Sequence, residues 1–335
     1  MKAAYLKQYG GNDMIGFGDL PDPVVMAGSV IVDVCAAGIN PVEIAMRNGE
    51  FKRSMKFKFP WVMGFDISGV IRETGPGVHG WKRGDEVFTR LPNRTMGAYA
   101  ERALVPANLL ALKPGNISHL EAASLPTVAL TTWQAFAERA HLKAGESVLI
   151  QAGAGGVGSF AIQLAKHLGA EVAATAGSAN QAFLLDLGVD IPIDYTRQRF
   201  EDFGPFDVVY DGVGGELITR SIDVLRPGGR YVGLVRSADA RAYREFGIPA
   251  PLAWLAARRV APYQRSAKRR GAEFHGILTR PDGPLLAKIG ALVESGVIHP
   301  VVGKVYTLNE LGVAYQDLAT GHTRGKIVLQ IAVQD

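Results

Sequence analysis

The chain is poor in sulfur and in long apolar runs. A single cysteine, Cys35, stands among 335 residues. That excludes an intrachain disulfide and suits a reducing, cytoplasmic compartment. It also excludes a four-cysteine zinc site, and none of the seven histidines belongs to an H-E-x-x-H pair. No bound metal is expected. His119-Leu120-Glu121 has the H-x-E spacing of zinc deaminases, but the P-C-x-x-C partner is missing. The longest clean apolar stretch, Pro249 to Ala257, falls well short of the ~20 residues a bilayer requires. The opening MKAAYLKQYGG lacks the apolar core of a signal peptide. No internal repeat or low-complexity segment is present.

What is there is ordinary globular composition, 47% hydrophobic and 20% charged, in a chain long enough for two cores. The net charge of +4 suits an anionic ligand. It is unevenly spread. Between Arg236 and Arg270 nine basic residues face only Asp239 and Glu245, so this stretch alone exceeds the net charge of the whole chain.

The first ~120 residues read as mostly β, with runs such as Val30 to Val34 and Gly69 to Ile71 between glycine and proline turns. From about Ser124 strands alternate with helices. Strands are expected at Ser147 to Gln151, Glu171 to Thr175, Ile191 to Ile193, Val208 to Tyr210 and Tyr231 to Leu234. Helices are expected at Val157 to Leu168 and Asn180 to Leu187, the pattern of parallel βαβ units. Helical content over Ser118 to Ala140 is interrupted by Pro126. A helix over Pro284 to Ser295 and a strand over Ile327 to Ile331 close the chain. The expected fold class is α/β: a doubly wound Rossmann domain, residues 124–271, inserted into a β-rich domain, residues 1–123 plus 272–335.

The sharpest local signal is the run from Val148 to Val172. Gly153, Gly155 and Gly158 fit G-x-G-x-x-G after an apolar strand and before an amphipathic helix. Gly153 permits the tight turn. Gly155 and Gly156 let backbone N–H groups approach a pyrophosphate, the helix N-terminus near Val157 adds partial positive charge, and Gly158 lets helix and strand close up. NAD sites usually carry an acid at the end of the second strand, but here that position falls in Thr175-Ala176-Gly177-Ser178. Ser178 as a donor, with Tyr195 and Arg197 after the third strand, points to NADP(H). Ser178 could equally cap the next helix. Cys35, in an apolar strand, reads as a buried, inert thiol.

Together these motifs resemble the medium-chain dehydrogenase/reductase family over essentially the whole chain. Ala152 to Gly158 is similar to the loop of quinone oxidoreductases and zeta-crystallins. So are AAGINPVE (Ala36 to Glu43), LPTVALTTWQAF (Leu125 to Phe136), DGVGGE (Asp211 to Glu216) and RGKIVL (Arg324 to Leu329). Zinc alcohol dehydrogenases of that superfamily carry Gly-Ile-Cys and Gly-His-Glu. Here the corresponding residues are Gly38-Ile39-Asn40 and Gly64-Phe65-Asp66. The resemblance therefore implies the zinc-free branch, with a GroES-like catalytic domain, a Rossmann domain, a cleft between them and a homodimer. It implies Asn40 and Thr127 beside the nicotinamide, cofactor contacts from Gly156, Val157, Ser178 and Tyr195, and Lys326 near the cofactor. Asn180 stands where some relatives place a lysine on the 2′-phosphate.

The implied chemistry is hydride transfer from NADPH to a quinone or conjugated enone, with the developing oxyanion held by the Asn40 amide, the Thr127 hydroxyl or a cofactor ribose hydroxyl. Glu43 and Asp66 are candidate proton relays, with structural roles as the alternative. Asn40 could equally cap the helix that Pro41 begins. Pro249 to Arg270 reads as a substrate lid, a peripheral contact on acidic lipid, or an amphipathic element packed on the Rossmann domain or on a dimer partner. Two other functions stay open. One is an enoyl-thioester reductase in a biosynthetic pathway. The other is a zeta-crystallin-like NADPH- and RNA-binding protein, although the lack of any RNA module weighs against nucleic acid.

Overall fold

The computed structural model describes residues 1–52 and 55–332. It divides into two compact units, Met1–Leu130 with Pro281–Asp335, and Thr131–Arg280.

The first unit is built on antiparallel strands. One sheet runs in spatial order Val302–Thr307, Lys326–Gln330, Ser29–Gly38, Asp66–Thr74, Glu86–Arg90 and Ala111–Leu112, with Arg102–Pro106 also paired to Ser29–Gly38. A smaller sheet joins Ile15–Asp19, Lys2–Leu6 and Trp61–Val62. The long strand Ser29–Gly38 holds the unit together, since it pairs with three others. Its alternation fails because so little of it faces water: Val30, Val32, Val34, Ala36 and Ala37 are all essentially buried. Strand register places the polar corner of the unit. Gly38 lies opposite both Asp66 and Val328, which brings Asn40, Asp66 and Lys326 together there. Gly38 cannot be larger, because a Cβ there would lie 2.4 Å from the Ala123 carbonyl oxygen.

The second unit is a six-stranded parallel sheet. Its spatial order is Ile191–Asp194, Glu171–Ala176, Ser147–Ile150, Phe206–Asp211, Leu225–Gly233 and Glu273–Gly276. In order along the chain that is 3-2-1-4-5-6, the doubly wound order of dinucleotide-binding domains. The helix Gly156–His167 packs Phe160, Ala161, Leu164 and Ala165 out of water. Burying the Phe160 and Leu164 side chains contributes roughly 1.5–3 kcal/mol each.

The changeover between units differs from the one expected at 123/124 and 271/272. The helical stretch is broken ahead of Pro126 as expected: one helix, His119–Ala123, ends and Pro126 opens the next, Pro126–Trp133, which runs through the first changeover and widens into π-helical turns over Gln134–Ala140. Glu273–Gly276 is the sixth strand of the parallel sheet, a pairing too short to be heard in the local pattern. Cys35 is half-buried rather than buried. Partial burial, then Glu86 and Asp33, push its thiol pKa up.

A Cβ at Gly158 would sit 2.3 Å from the Ala152 carbonyl oxygen and 2.7 Å from the Gly153 Cα, whereas at Gly155 the nearest atom is 3.5 Å away. Gly158→Ala is therefore expected to lose about 1–3 kcal/mol of stability by overpacking, and Gly155→Ala to keep the parent unfolding midpoint. Thermal denaturation of both variants checks this, and equal midpoints would refute it.

Candidate active site

The first unit buries a chain of polar groups at the corner that Gly38 sets. Lys326 begins its strand with the ammonium inward, where it donates to Asn40 Oδ1 and lies 3.5 Å from Asp66 Oδ2. Asn40 Nδ2 donates to Asp66 Oδ2 at 3.0 Å and to Glu43 Oε1 at 3.0 Å. Thr127 Oγ1 donates to Asp66 Oδ1 at 2.6 Å. Tyr99 OH donates to Glu43 Oε2, and Tyr315 OH lies 3.5 Å from the same oxygen. The four residues expected to be catalytic, Asn40, Glu43, Asp66 and Thr127, are thus one network. Asn40, Glu43, Asp66, Lys326, Tyr99 and Tyr315 are all buried, and only Thr127 retains partial exposure.

Two roles change with this geometry. Asn40 is the N-cap residue of Pro41–Arg47, and its backbone N–H donates to Glu43 Oε2 at 3.2 Å. Both its amide hydrogens go to carboxylates, so none is left for a substrate oxyanion. Lys326, expected near the cofactor, has its ammonium committed to Asn40 and Asp66. Nothing local in the sequence marks Tyr99 and Tyr315, since both are far along the chain from Glu43.

Burial dominates the electrostatics. It pushes the Glu43 carboxyl up to about 7, opposed by the Tyr99 and Asn40 hydrogen bonds and by Lys326. It lowers the Lys326 ammonium, against the pull of Asp66 and Glu43. It lowers Arg90 to about 10, again against Asp66 and Glu43. Arg90 stacks over the Phe65 ring at 4.3 Å.

A zinc ion does not fit here. By the motif resemblance, Asn40 and Phe65 stand where the zinc enzymes carry their cysteine and histidine ligands, and the Lys326 ammonium reaches Asn40 and Asp66, the residue beside Phe65. Among the described residues, no three His, Cys, Asp or Glu gather to hold a metal.

In the second unit, Gly155 is the N-cap of the helix Gly156–His167 and, lacking a side chain, makes no side-chain cap bond to it. The first-turn N–H groups of Gly156, Val157 and Gly158 have no acceptor within the helix, which is what a pyrophosphate needs. Gly153 Cα packs under the helix start, leaving a Cβ at that position only 3.0 Å from Ala174 Cβ and Leu184 Cδ2. Asp211 pins the neighbouring loop, accepting from Val213 N and Gly214 N at 2.8 Å each and from Tyr231 OH at 2.8 Å. A dinucleotide fits this cradle.

Ser178 stands after the second strand as expected, but its hydroxyl donates to Asp194 Oδ2 and bonds Thr196 Oγ1 at 3.0 Å. Asp194 pairs with Ala176 across the strands, so the third strand brings in the acid that the second lacks. The Ser178 and Thr196 hydroxyls hold the Asp194 carboxyl below its usual range. Tyr195 is exposed, and a Cβ at Gly177 would lie 3.5 Å from its hydroxyl. The Arg197 side chain is 79% exposed, with Nε 3.9 Å from Asp194 Oδ2.

Sheet order, glycine loop and glycine-capped helix end together define an α/β oxidoreductase of the dinucleotide-binding class. Residues 26–115 match the alcohol dehydrogenase GroES-like domain, and residues 187–329 match the zinc-binding dehydrogenase model. The NAD(P)H oxidoreductase RTN4IP1, mitochondrial, of Danio rerio is 33% identical over 99% of this chain and 91% of its own. The NADPH-dependent alkenal/one oxidoreductase, chloroplastic, of Arabidopsis thaliana is 32% identical over 98% of this chain and 79% of its own. The quinone oxidoreductase from Coxiella burnetii superposes with a TM-score of 0.87 at 32% identity, covering 99% of both chains. The chain belongs to the medium-chain dehydrogenase/reductase family, on its quinone oxidoreductase-like side.

The Glu43 pKa is raised in the folded state, so between about pH 4.5 and 7 the folded protein binds more protons than the unfolded chain. Stability from this group is present below that window and falls as pH rises through it. Glu43→Gln is expected to flatten the fall, and denaturant titrations at pH 5 and pH 8 measure it. Parallel pH slopes in parent and variant would remove Glu43 as the titrating group.

Proposed function

We propose that the chain is an NADPH-dependent reductase that adds a hydride to a quinone or conjugated enone without zinc, working as a homodimer in a cytoplasmic setting. The observation that carries this reading is the Lys326 ammonium lodged against Asn40 and Asp66. With that corner filled by a bonded cation, oxyanion stabilisation falls to ordinary hydrogen-bond donors. Those suit an acceptor already activated by conjugation better than an isolated alcohol or ketone.

Reduced nicotinamide, when bound, supplies the hydride. Gly155, Gly156, Val157 and Gly158 would hold the pyrophosphate, with Gly153 shaping the turn beneath, and Tyr195 and Arg197 would serve the adenosine end and its 2′-phosphate. Ser178 and Thr196 keep Asp194 bonded so that its charge is spread over donors rather than aimed at the phosphate. Thr127 is the network's outlet, being its one partly exposed member. The Lys326 ammonium gives a proton to the Asp66 carboxylate. Asp66 passes it to the Thr127 oxygen as the Thr127 hydroxyl turns and releases its own proton to the reduced substrate. The neutral Lys326 amine then regains a proton from solvent. Asn40 positions both carboxylates and donates nothing to substrate. Hydride and proton together complete a two-electron reduction.

Initial rates with NADPH and NADH, against a quinone panel and an enone panel with chelator present, test the reading. NADPH turnover unaffected by chelator is expected, and the better panel identifies the acceptor class. Preference for NADH, or loss of activity to chelator, would sink it. Thr127→Val, which removes one donor, is expected to lower kcat roughly ten- to hundredfold with little change in the KM for NADPH. Arg197→Ala is expected to lower kcat/KM for NADPH about tenfold and leave NADH unchanged, the scale of one lost charge-assisted contact.

A further inference from the structure

The basic segment of the second unit carries a helix built inside out. In Ala250–Ala257 the small residues Ala253 and Ala257 face the protein, at 0% and 7% exposure. Leu252, Trp254 and Leu255 face water, at 58%, 65% and 56%. Pro251 is exposed with them. At 100° per residue, positions 251, 252, 254, 255, 258 and 259 fall on one face, so the apolar group continues into Arg258 and Arg259. Arg258 lies 5.6 Å from the Trp254 ring centroid. Both arginines are exposed, and neither has an ion-pair partner among the described residues. A stretch with nine basic residues against two acidic ones surrounds the patch.

We infer that this face docks the protein on an anionic lipid surface, with Leu252, Trp254 and Leu255 entering the interface and Arg258 and Arg259 meeting acidic headgroups. Charge complementarity selects this occupant. A second copy presenting the same stretch would offer Arg258 and Arg259 only Asp239 and Glu245, and Glu245 is already paired with Arg139, Arg241 and Arg280 while Asp239 caps Ala240–Glu245. Single-stranded RNA would call for stacking aromatics, and the face offers one tryptophan among aliphatic side chains that hydrocarbon, not bases, would bury. An apolar cluster of tryptophan and leucine with two exposed arginines on the same face is the composition that partitions into the headgroup boundary.

The test is co-sedimentation of the full chain with phosphatidylglycerol vesicles and with phosphatidylcholine vesicles. Binding to the first and not the second, weakened by raised salt, is expected. The triple variant Leu252→Ser, Trp254→Ser, Leu255→Ser should lose binding and keep the parent unfolding midpoint, since none of the three is packed. Arg258→Gln with Arg259→Gln should lower partitioning about tenfold. Undiminished binding by the triple variant, or equal binding to both vesicle types, overturns the proposal. So does failure to bind vesicles, whether the chain instead retains a homopolymeric RNA or self-associates through this face.

Discussion

Burial of the Lys326 ammonium is the constraint on which the first unit turns. Placing such an ion out of water costs several kcal/mol unless charge and hydrogen bonds offset it. Asp66 supplies the opposite charge and Asn40 the hydrogen bond. That commits Asn40's oxygen, and its nitrogen then bridges the two carboxylates, so one cation orders three side chains that are distant in sequence. Arg90 belongs to the same charge balance. With Glu43 ionised, the buried set holds two carboxylates and two cations; with Glu43 protonated, it is left with one excess positive charge. Desolvation of Glu43 and Coulombic demand therefore oppose each other, which is why its carboxyl comes to rest near neutrality instead of at either extreme.

The same corner has no place for a zinc ion, although Asn40 and Asp66 lie within residues 26–115, which match the alcohol dehydrogenase GroES-like domain. The strands that would present the ligands are intact, and Gly38 still lies opposite Asp66. Only the side chains have changed: an amide, Asn40, stands in the cysteine position and Phe65 in the histidine position, while Lys326 satisfies Asn40 and the adjacent Asp66. A single positive charge tied into two hydrogen-bonding partners cannot polarise a carbonyl as a divalent Lewis acid does. On the function proposed above, the unit is left with proton handling, which favours acceptors whose conjugation already spreads the incoming charge.

The parts legible in sequence are those whose signal is local. The glycine spacing of Gly153, Gly155 and Gly158 announces the cradle because turn, helix start and close packing each require glycine within six residues. Strand and helix alternation announces the sheet for the same reason. Membership of Asn40, Glu43, Asp66 and Thr127 in a site is carried by motif resemblance. Their wiring is not, because Tyr99, Tyr315 and Lys326 reach them only through register and tertiary folding. Glu273–Gly276 escapes notice as a sheet strand because four residues carry no periodicity to speak of.

Asp194 shows the same limit with a chemical consequence. The second strand ends without an acid, which taken alone favours a 2′-phosphate. Across the sheet there is one, because parallel pairing sets Asp194 beside Ala176. Presence alone does not decide specificity. A carboxylate that excludes phosphate must aim uncompensated charge at it. Asp194 accepts from Ser178 Oγ, from Thr196 N at 3.0 Å and from Thr196 Oγ1 at 2.7 Å, and Arg197 stands over it. Its lone pairs are largely spoken for, whereas the guanidinium beside it is open to solvent. The exposed cation thus offsets the bonded anion at the ends of these strands, which supports the NADPH reading proposed above over one built on a free aspartate.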